Sequence, residues 1–164
     1  MRCSHCNEEI GEISFCFGSR APYHYLILND EDQEKCEIDN DICVIESRDY
    51  FIRGHLEIPI IGSEDVFIWS VWSSLSKNNF DRTMELWGSE DRNQEPSYFG
   101  WSSTQLPLYP DTLNLKCEVY TREVGLCPII VLEESDHPLS KEQKNGITKE
   151  RVYEINHLLM HKTT

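Results

Sequence analysis

Between residues 50 and 60 apolar and polar side chains alternate. Tyr50, Ile52, Leu56, Ile58 and Ile60 fall on one side of an extended chain, and Arg53, His55 and Glu57 on the other. A period of two marks a strand with one buried face, and Pro59 with the turn at Gly62 ends it. Residues 66–74 (VFIWSVWSS) are apolar on both sides, as in a central strand covered on both faces. The period then lengthens. Ser76 stands where a helix would be capped, Leu75 and Phe80 occupy the staple positions, Phe80, Met84 and Trp87 share a helical face, and Gly88 ends it. Residues 98–104 predict another strand, and Leu106-Pro107-Leu108-Tyr109-Pro110 a rigid connection. Leu113, Leu115, Cys117 and Val119 alternate with polar neighbours, residues 128–133 (PIIVLE) read as a buried strand, and residues 122–126 with Gly125 suit the hairpin between them. Residues 138–144 predict a short helix stopped by Asn145-Gly146. Thr148 caps the last helix, Ile147 staples to Val152, and Val152, Ile155, Leu158 and Leu159 form its apolar stripe. Strands beside strands, with inserted and C-terminal helices, predict an α+β fold with a mainly antiparallel sheet.

The first quarter of the chain has a different texture. Residues 1–28 are rich in turn formers, and residues 29–35 (NDEDQEK) predict one or two helical turns with carboxylates near the N-terminus, where the helix dipole favours them. An EF-hand is excluded, because Lys35 replaces the required glycine and Asp41 the bidentate glutamate. Four of seven cysteines lie here, as Cys3-x2-Cys6 and Cys36-x6-Cys43. Four thiolates suit a tetrahedral Zn²⁺, and a site closed by four protein ligands is structural. The expectation is a zinc-knuckle-like arm over residues 1–45 packed on a body over 46–164, within one domain, with Cys3, Cys6, Cys36 and Cys43 as ligands and His5 or His24 as alternatives for the fourth. Cys16, Cys117 and Cys127 are expected to pack as small hydrophobes.

Composition narrows the choices. A length of 164 residues fits one domain. No apolar run reaches the ~18 residues of a membrane span, and the N-terminus has no apolar core of a signal peptide, so a cytoplasmic protein is expected. Thiols stay reduced in that compartment, and an odd cysteine count also argues against a disulfide framework. With Asp and Glu at 29 against 15 Lys and Arg, the net charge is −14. A field of that sign repels nucleic-acid phosphates and suits a basic protein partner, the alternative being that the charge serves solubility alone.

Two side-chain groups carry possible chemistry. On one strand face, His55 could act as a base oriented by Glu57, with Arg53 holding an anion; the alternative is a solvated face of ordinary charges. Trp69, Trp72, Phe99, Trp101 and Tyr109 could line an aromatic groove, with core packing the alternative. His157 and His161 lack the glutamate of a helical zinc motif and fit a solvent-facing helix end.

Cys3-x2-Cys6, Asp41-x-Cys43, Tyr50-Phe-Ile-Arg-Gly54, Leu56-Glu-Ile-Pro59, Trp69-Ser-Val-Trp72, Phe99-Gly-Trp101, Leu106-Pro-Leu-Tyr-Pro110 and His137-Pro-Leu139 together resemble a mostly bacterial family, domain of unknown function 2199, over nearly the whole length. The family has no assigned activity, so the resemblance implies an architecture. Family members commonly carry a histidine shortly after Cys-x2-Cys; this chain has none there, which implies Cys36 as its replacement and makes Cys43 the firmer ligand. The expected function is a non-enzymatic protein-interaction module, an immunity or inhibitor role being one form. The rival is a small enzyme built around Arg53, His55 and Glu57 with Trp72 and Trp101 as walls. Convergence of the three polar groups in a pocket would favour the enzyme; a splayed set would favour the module.

Overall fold

A computed structural model describes residues 13–160. In chain order these form β1 (Cys16–Gly18), α1 (Tyr23–Leu26), α2 (Asp30–Glu34), β2 (Glu37–Ile38), β3 (Ile42–Ile45), β4 (Asp49–Pro59), β5 (Val66–Leu75), α3 (Lys77–Glu85), β6 (Tyr98–Trp101), β7 (Lys116–Tyr120), β8 (Ile129–Leu132), α4 (Pro138–Asn145) and α5 (Lys149–Met160). The α+β class agrees with the sequence reading. The sheet is mixed rather than mainly antiparallel in plan: β1 pairs β5 in parallel and β4 pairs β8 in parallel, while the other pairings are antiparallel. The physical reason is that β1 and β8 reach the central hairpin by long connections, which leave strand direction free, whereas short turns impose antiparallel neighbours.

The spine is the β4–β5 hairpin, in register from Tyr50↔Leu75 to Pro59↔Val66 and turned through Gly62 at φ 81°. Both of its strands change partner midway. The outer edge of β4 pairs β3 up to Ile52, then β8 at His55. The outer edge of β5 pairs β1 at residues 68–70, then Ser102, just past β6, at Ser73. The Ser103 N–H also donates to the Trp72 carbonyl at 2.8 Å. Strands β5, β4, β8, β7 and β6 therefore close into a ring. The seam is built from Ser73, Ser102, Ser103, Thr104 and Thr112, all buried, because only small polar side chains fit between backbones this close. A Cβ at Gly100 would collide with the Ser73 hydroxyl and the Ser74 carbonyl.

Inward side chains of the ring, among them Leu56, Trp69, Val119 and Ile130, make the main core, joined by Phe80 of α3, Leu139 of α4 and Val152 and Ile155 of α5. The helix caps hold, whereas on α5 the expected faces are shifted, with Leu158 exposed and His157 buried. Ser76 Oγ accepts from Asn79 N–H, His137 Nδ1 from Leu139 N–H, and Thr148 Oγ1 from Arg151 N–H. Leu113 and Leu115 precede β7 instead of joining it, because Asn114 takes φ 60°, which no strand tolerates. Fully buried Asn156 of α5 accepts from the Ser14 N–H and donates to the Ser14 carbonyl, at 2.8 and 3.0 Å. On the outer face, residues of the α1–α2 segment cover one end of the sheet and form a second cluster with Cys43, Ile45, Phe51 and Trp72, against which Tyr25 and Leu28 pack. Among the described residues no helix is long and apolar enough to cross a membrane.

Candidate functional site

Where β4 leaves β3 for β8, the sheet opens into a notch. One rim carries Asp41, from the turn before β3; the other is the β7–β8 loop; Arg53 of β4 lies between, and Trp87 beyond α3 backs it. The cavity has a volume of about 290 Å³, and its walls include three guanidiniums, those of Arg53, Arg92 and Arg122.

Each arginine is held differently. Arg53 donates from Nε to the Asn40 carbonyl and from Nη1 to Ser70 Oγ at 3.0 Å, while Nη2 lies 3.6 Å from Cys127 Sγ and 3.7 Å from Asp41 Oδ1. Arg122 donates from Nε to the Cys127 carbonyl and reaches Glu57 Oε1 only at 3.9 Å and His55 Nδ1 at 3.5 Å. Arg92 is 8% exposed and ties the loop down: Nε donates to the Arg122 carbonyl, Nη1 to that of Trp87, and Nη2 to those of Glu123 and Leu126. It also stacks over the Trp87 ring, and among the described residues no carboxylate lies within ion-pair distance of it. A buried cation answered only by carbonyl dipoles is an unusual expense in folding energy.

Of the three residues read from the strand pattern, only Arg53 enters the cavity. His55 and Glu57 meet Arg122 from outside it, and no hydrogen bond joins His55 to Glu57 among the described residues. Burial holds the His55 pKa below the ordinary imidazole value, reinforced by Arg122 and then Arg53. The imidazole thus sits beside two cations. Arg92, Arg122 and Asp41 were not legible as site residues. Arg122 falls in what reads as a solvated hairpin turn, and nothing local marks Arg92.

The two tryptophans proposed as groove walls part company. Trp72 is fully buried beneath the α1–α2 segment, with its indole N–H donating to the Ser19 carbonyl. Trp101 is 42% exposed. It belongs to an open sheet face on which register places Trp101, Lys116 and Glu133 in one row and Phe99, Glu118 and Val131 in the next. Tyr120 follows on the same face, beside Ile129 and His55. Phe99, Tyr120 and Val131 are exposed as well, and the Phe99 and Trp101 rings meet edge to face at 5.1 Å. Trp69 and Tyr109 are core, joined by an indole-to-hydroxyl hydrogen bond of 3.2 Å.

Of the expected metal ligands, Cys3 and Cys6 lie outside the described residues. Cys36 and Cys43 share the outer cluster, where burial raises the Cys43 thiol pKa to about 12 and that of Cys36 in the same direction. The ring of His24 stacks on Phe51 in the same region, and its buried Nδ1 has no hydrogen-bond partner. Among the described residues no group of three or more His, Cys, Asp or Glu is placed to hold a metal, and no zinc knuckle is shown among them. Two sulfurs in one cluster are a partial donor set, and the rest would have to come from elsewhere in the chain.

A family model described as an uncharacterized protein conserved in bacteria (DUF2199) matches residues 2–147. No curated protein and no solved structure matches the chain.

Proposed function

The chain belongs to this uncharacterised bacterial family, DUF2199, and from the geometry of its outer face we propose that it is a non-enzymatic protein-interaction module, cytoplasmic, that docks a basic partner on the β6–β7–β8 sheet face. The observation that carries this is the patch of outward Phe99, Trp101, Tyr120 and Val131, each more than a third exposed, interleaved with the carboxylates of Glu118 and Glu133 and the single cation of Lys116. Contiguous exposed aromatic surface rimmed by charge is characteristic of interaction sites. With a chain charge of −14, the partner the field favours is basic. An immunity or inhibitor protein is one form of such a module. The splaying of His55 and Glu57 away from the Arg53 cavity supports binding over the enzymatic alternative.

Selection from a displayed random-peptide library tests this. Wild-type protein is expected to enrich peptides that are basic and carry an aromatic anchor, with binding that weakens as salt rises. The Phe99→Ser, Trp101→Ser double variant is expected to enrich none of them. Enrichment of acidic peptides, or equal binding by the double variant, would overturn the reading.

A structural Zn²⁺ is the proposed cofactor, with Cys36 and Cys43 supplying two sulfurs from one cluster and Cys3 and Cys6 the others. Bound zinc would turn two raised-pKa thiols into coordinated thiolates. About one zinc per chain by elemental analysis, lost in Cys3→Ser with Cys6→Ser, is expected; full retention by that variant refutes the ligand set.

A further inference from the structure

We infer that the notch beneath the β4 partner switch is a binding site for a small organic anion, a carboxylate or phosphate monoester whose headgroup lies between Arg53 and Arg122 and whose apolar body packs on Trp87 and Leu126. The inference is independent of the docking face.

It starts from charge. Arg53, Arg92 and Arg122 line the cavity against a single lining carboxylate, Asp41, in a chain whose net charge is −14. Carboxylates outnumber cations nearly two to one along the chain, yet they are the minority here. Nor are the guanidiniums used up. The nearest carboxylate oxygens to Arg53 and Arg122 stand at 3.7 and 3.9 Å, beyond hydrogen-bond reach, and about a quarter of each side chain is exposed. Both are anchored on Cys127. Arg53 comes within 3.6 Å of Cys127 Sγ, and Arg122 donates to the Cys127 carbonyl. Two guanidiniums held on one residue of the rim suit the oxygen pairs of a carboxylate or phosphate.

The walls say the rest. Arg92 sits behind the loop with its donors engaged by carbonyls, so it fixes the shape of the cavity and adds a buried positive charge without making a headgroup contact. Trp87, Val124, Leu126 and Pro128 are apolar, and about 290 Å³ exceeds what an inorganic ion fills. Together these select an anion attached to an apolar body. With His55 and Glu57 outside the cavity, nothing here requires turnover of that ligand.

Calorimetric titration of the full chain with phenyl phosphate, benzoate, inorganic phosphate and phenol tests the site. Saturable binding is expected for phenyl phosphate, benzoate or both, tighter than for inorganic phosphate, and none for phenol; the first two probes separate the two headgroup sources. Arg53→Gln and Arg122→Gln should each weaken binding about ten- to hundredfold, whereas Arg48→Gln, at an exposed arginine remote from the notch, should not. In wild type the Nε–H resonances of Arg53 and Arg122 should shift on titration, a readout that does not depend on the variants folding. Equal binding of phenol and phenyl phosphate, absence of saturable binding, or unmoved arginine resonances would overturn the inference.

Discussion

Arg92→Ala removes the clasp that holds the β7–β8 loop. The wild-type side chain is 8% exposed and makes four hydrogen bonds to carbonyl oxygens, at 2.7, 2.9, 2.9 and 3.1 Å. Hydrogen bonds from a charged donor contribute about 1.5–3 kcal/mol each, but adding four of them would overstate the loss. Glu123 and Leu126 are exposed residues, so their carbonyls return to water once the guanidinium is gone. The truncation also relieves the desolvation of a buried cation. Taken together, a destabilisation of about 3 kcal/mol is expected. With a urea slope of about 2 kcal/mol/M, this moves the unfolding midpoint down by about 1.5 M at unchanged slope. Arg92→Lys separates shape from charge. An ammonium keeps the cation but cannot span four carbonyls set around a planar fork, so more than half of the loss should remain. Either variant unfolding within about 0.5 kcal/mol of wild type would refute the clasp, since ordinary surface substitutions fall in that range.

Three further outcomes follow from the same geometry. Asn156→Ala deletes both hydrogen bonds to Ser14 and one to the Val152 carbonyl, which should cost about 2–3 kcal/mol and release the Ser14 amide to rapid hydrogen exchange; a protected Ser14 amide in the variant would contradict this. Gly100→Ala drives a methyl into the Ser73 hydroxyl and the Ser74 backbone carbonyl, with a loss of about 1–3 kcal/mol that Ser73→Gly should not fully rescue because the carbonyl remains. His55 has its pKa lowered by folding, so the unfolded chain binds the extra proton. Its contribution to stability is complete above the ordinary imidazole value near 6.5 and is lost as pH falls through the lower folded-state value. Urea midpoints between about pH 5 and pH 7.5 should therefore fall more steeply toward acid in wild type than in His55→Gln, and parallel curves would remove His55 from the account.

Local signals read well wherever neighbours in sequence decide the outcome. Ser76 and Thr148 cap their helices as the residue types imply, and Leu56, Ile58 and Ile60 point inward as the period of two requires. The same strand shows the limit. Phe51 lies on the polar side of that alternation, yet it is 3% exposed, because the α1–α2 segment covers that end of the outer face. Trp72 is buried on the same side for the same reason. Both strands of the ring closure are legible, but nothing in the sequence pairs Ser73 with Ser102, because contacts between distant strands leave no local period. The notch draws on Asp41, Arg53, Trp87, Arg92 and Arg122, five positions that no spacing rule connects. Arg53 reads as part of a polar strand face with His55 and Glu57, whereas in the structure it shares a cavity lining with two other arginines, which His55 and Glu57 do not enter. A surplus of arginine in a lining can be recognised only after folding brings it together.

The rungs between Ser14 and Asn156 bear on how the molecule can be made. They join residues 142 apart in sequence, and β1 lies just beyond the first of them, held in parallel on β5. On the ribosome the ring of β4 to β8 can be complete while α5 is still in the exit tunnel, so the docking of Ser14 is a late event in synthesis. The two ends of the described chain also finish side by side. That arrangement admits circular permutation: a short linker joining them, with new termini opened in the exposed turn around Gly62, would make the rungs local and turn the β4–β5 pairing, now a hairpin, into the longest loop the chain must close. Slower refolding of the permutant at similar stability would show that early formation of the β4–β5 hairpin, rather than the docking of Ser14, sets the pace.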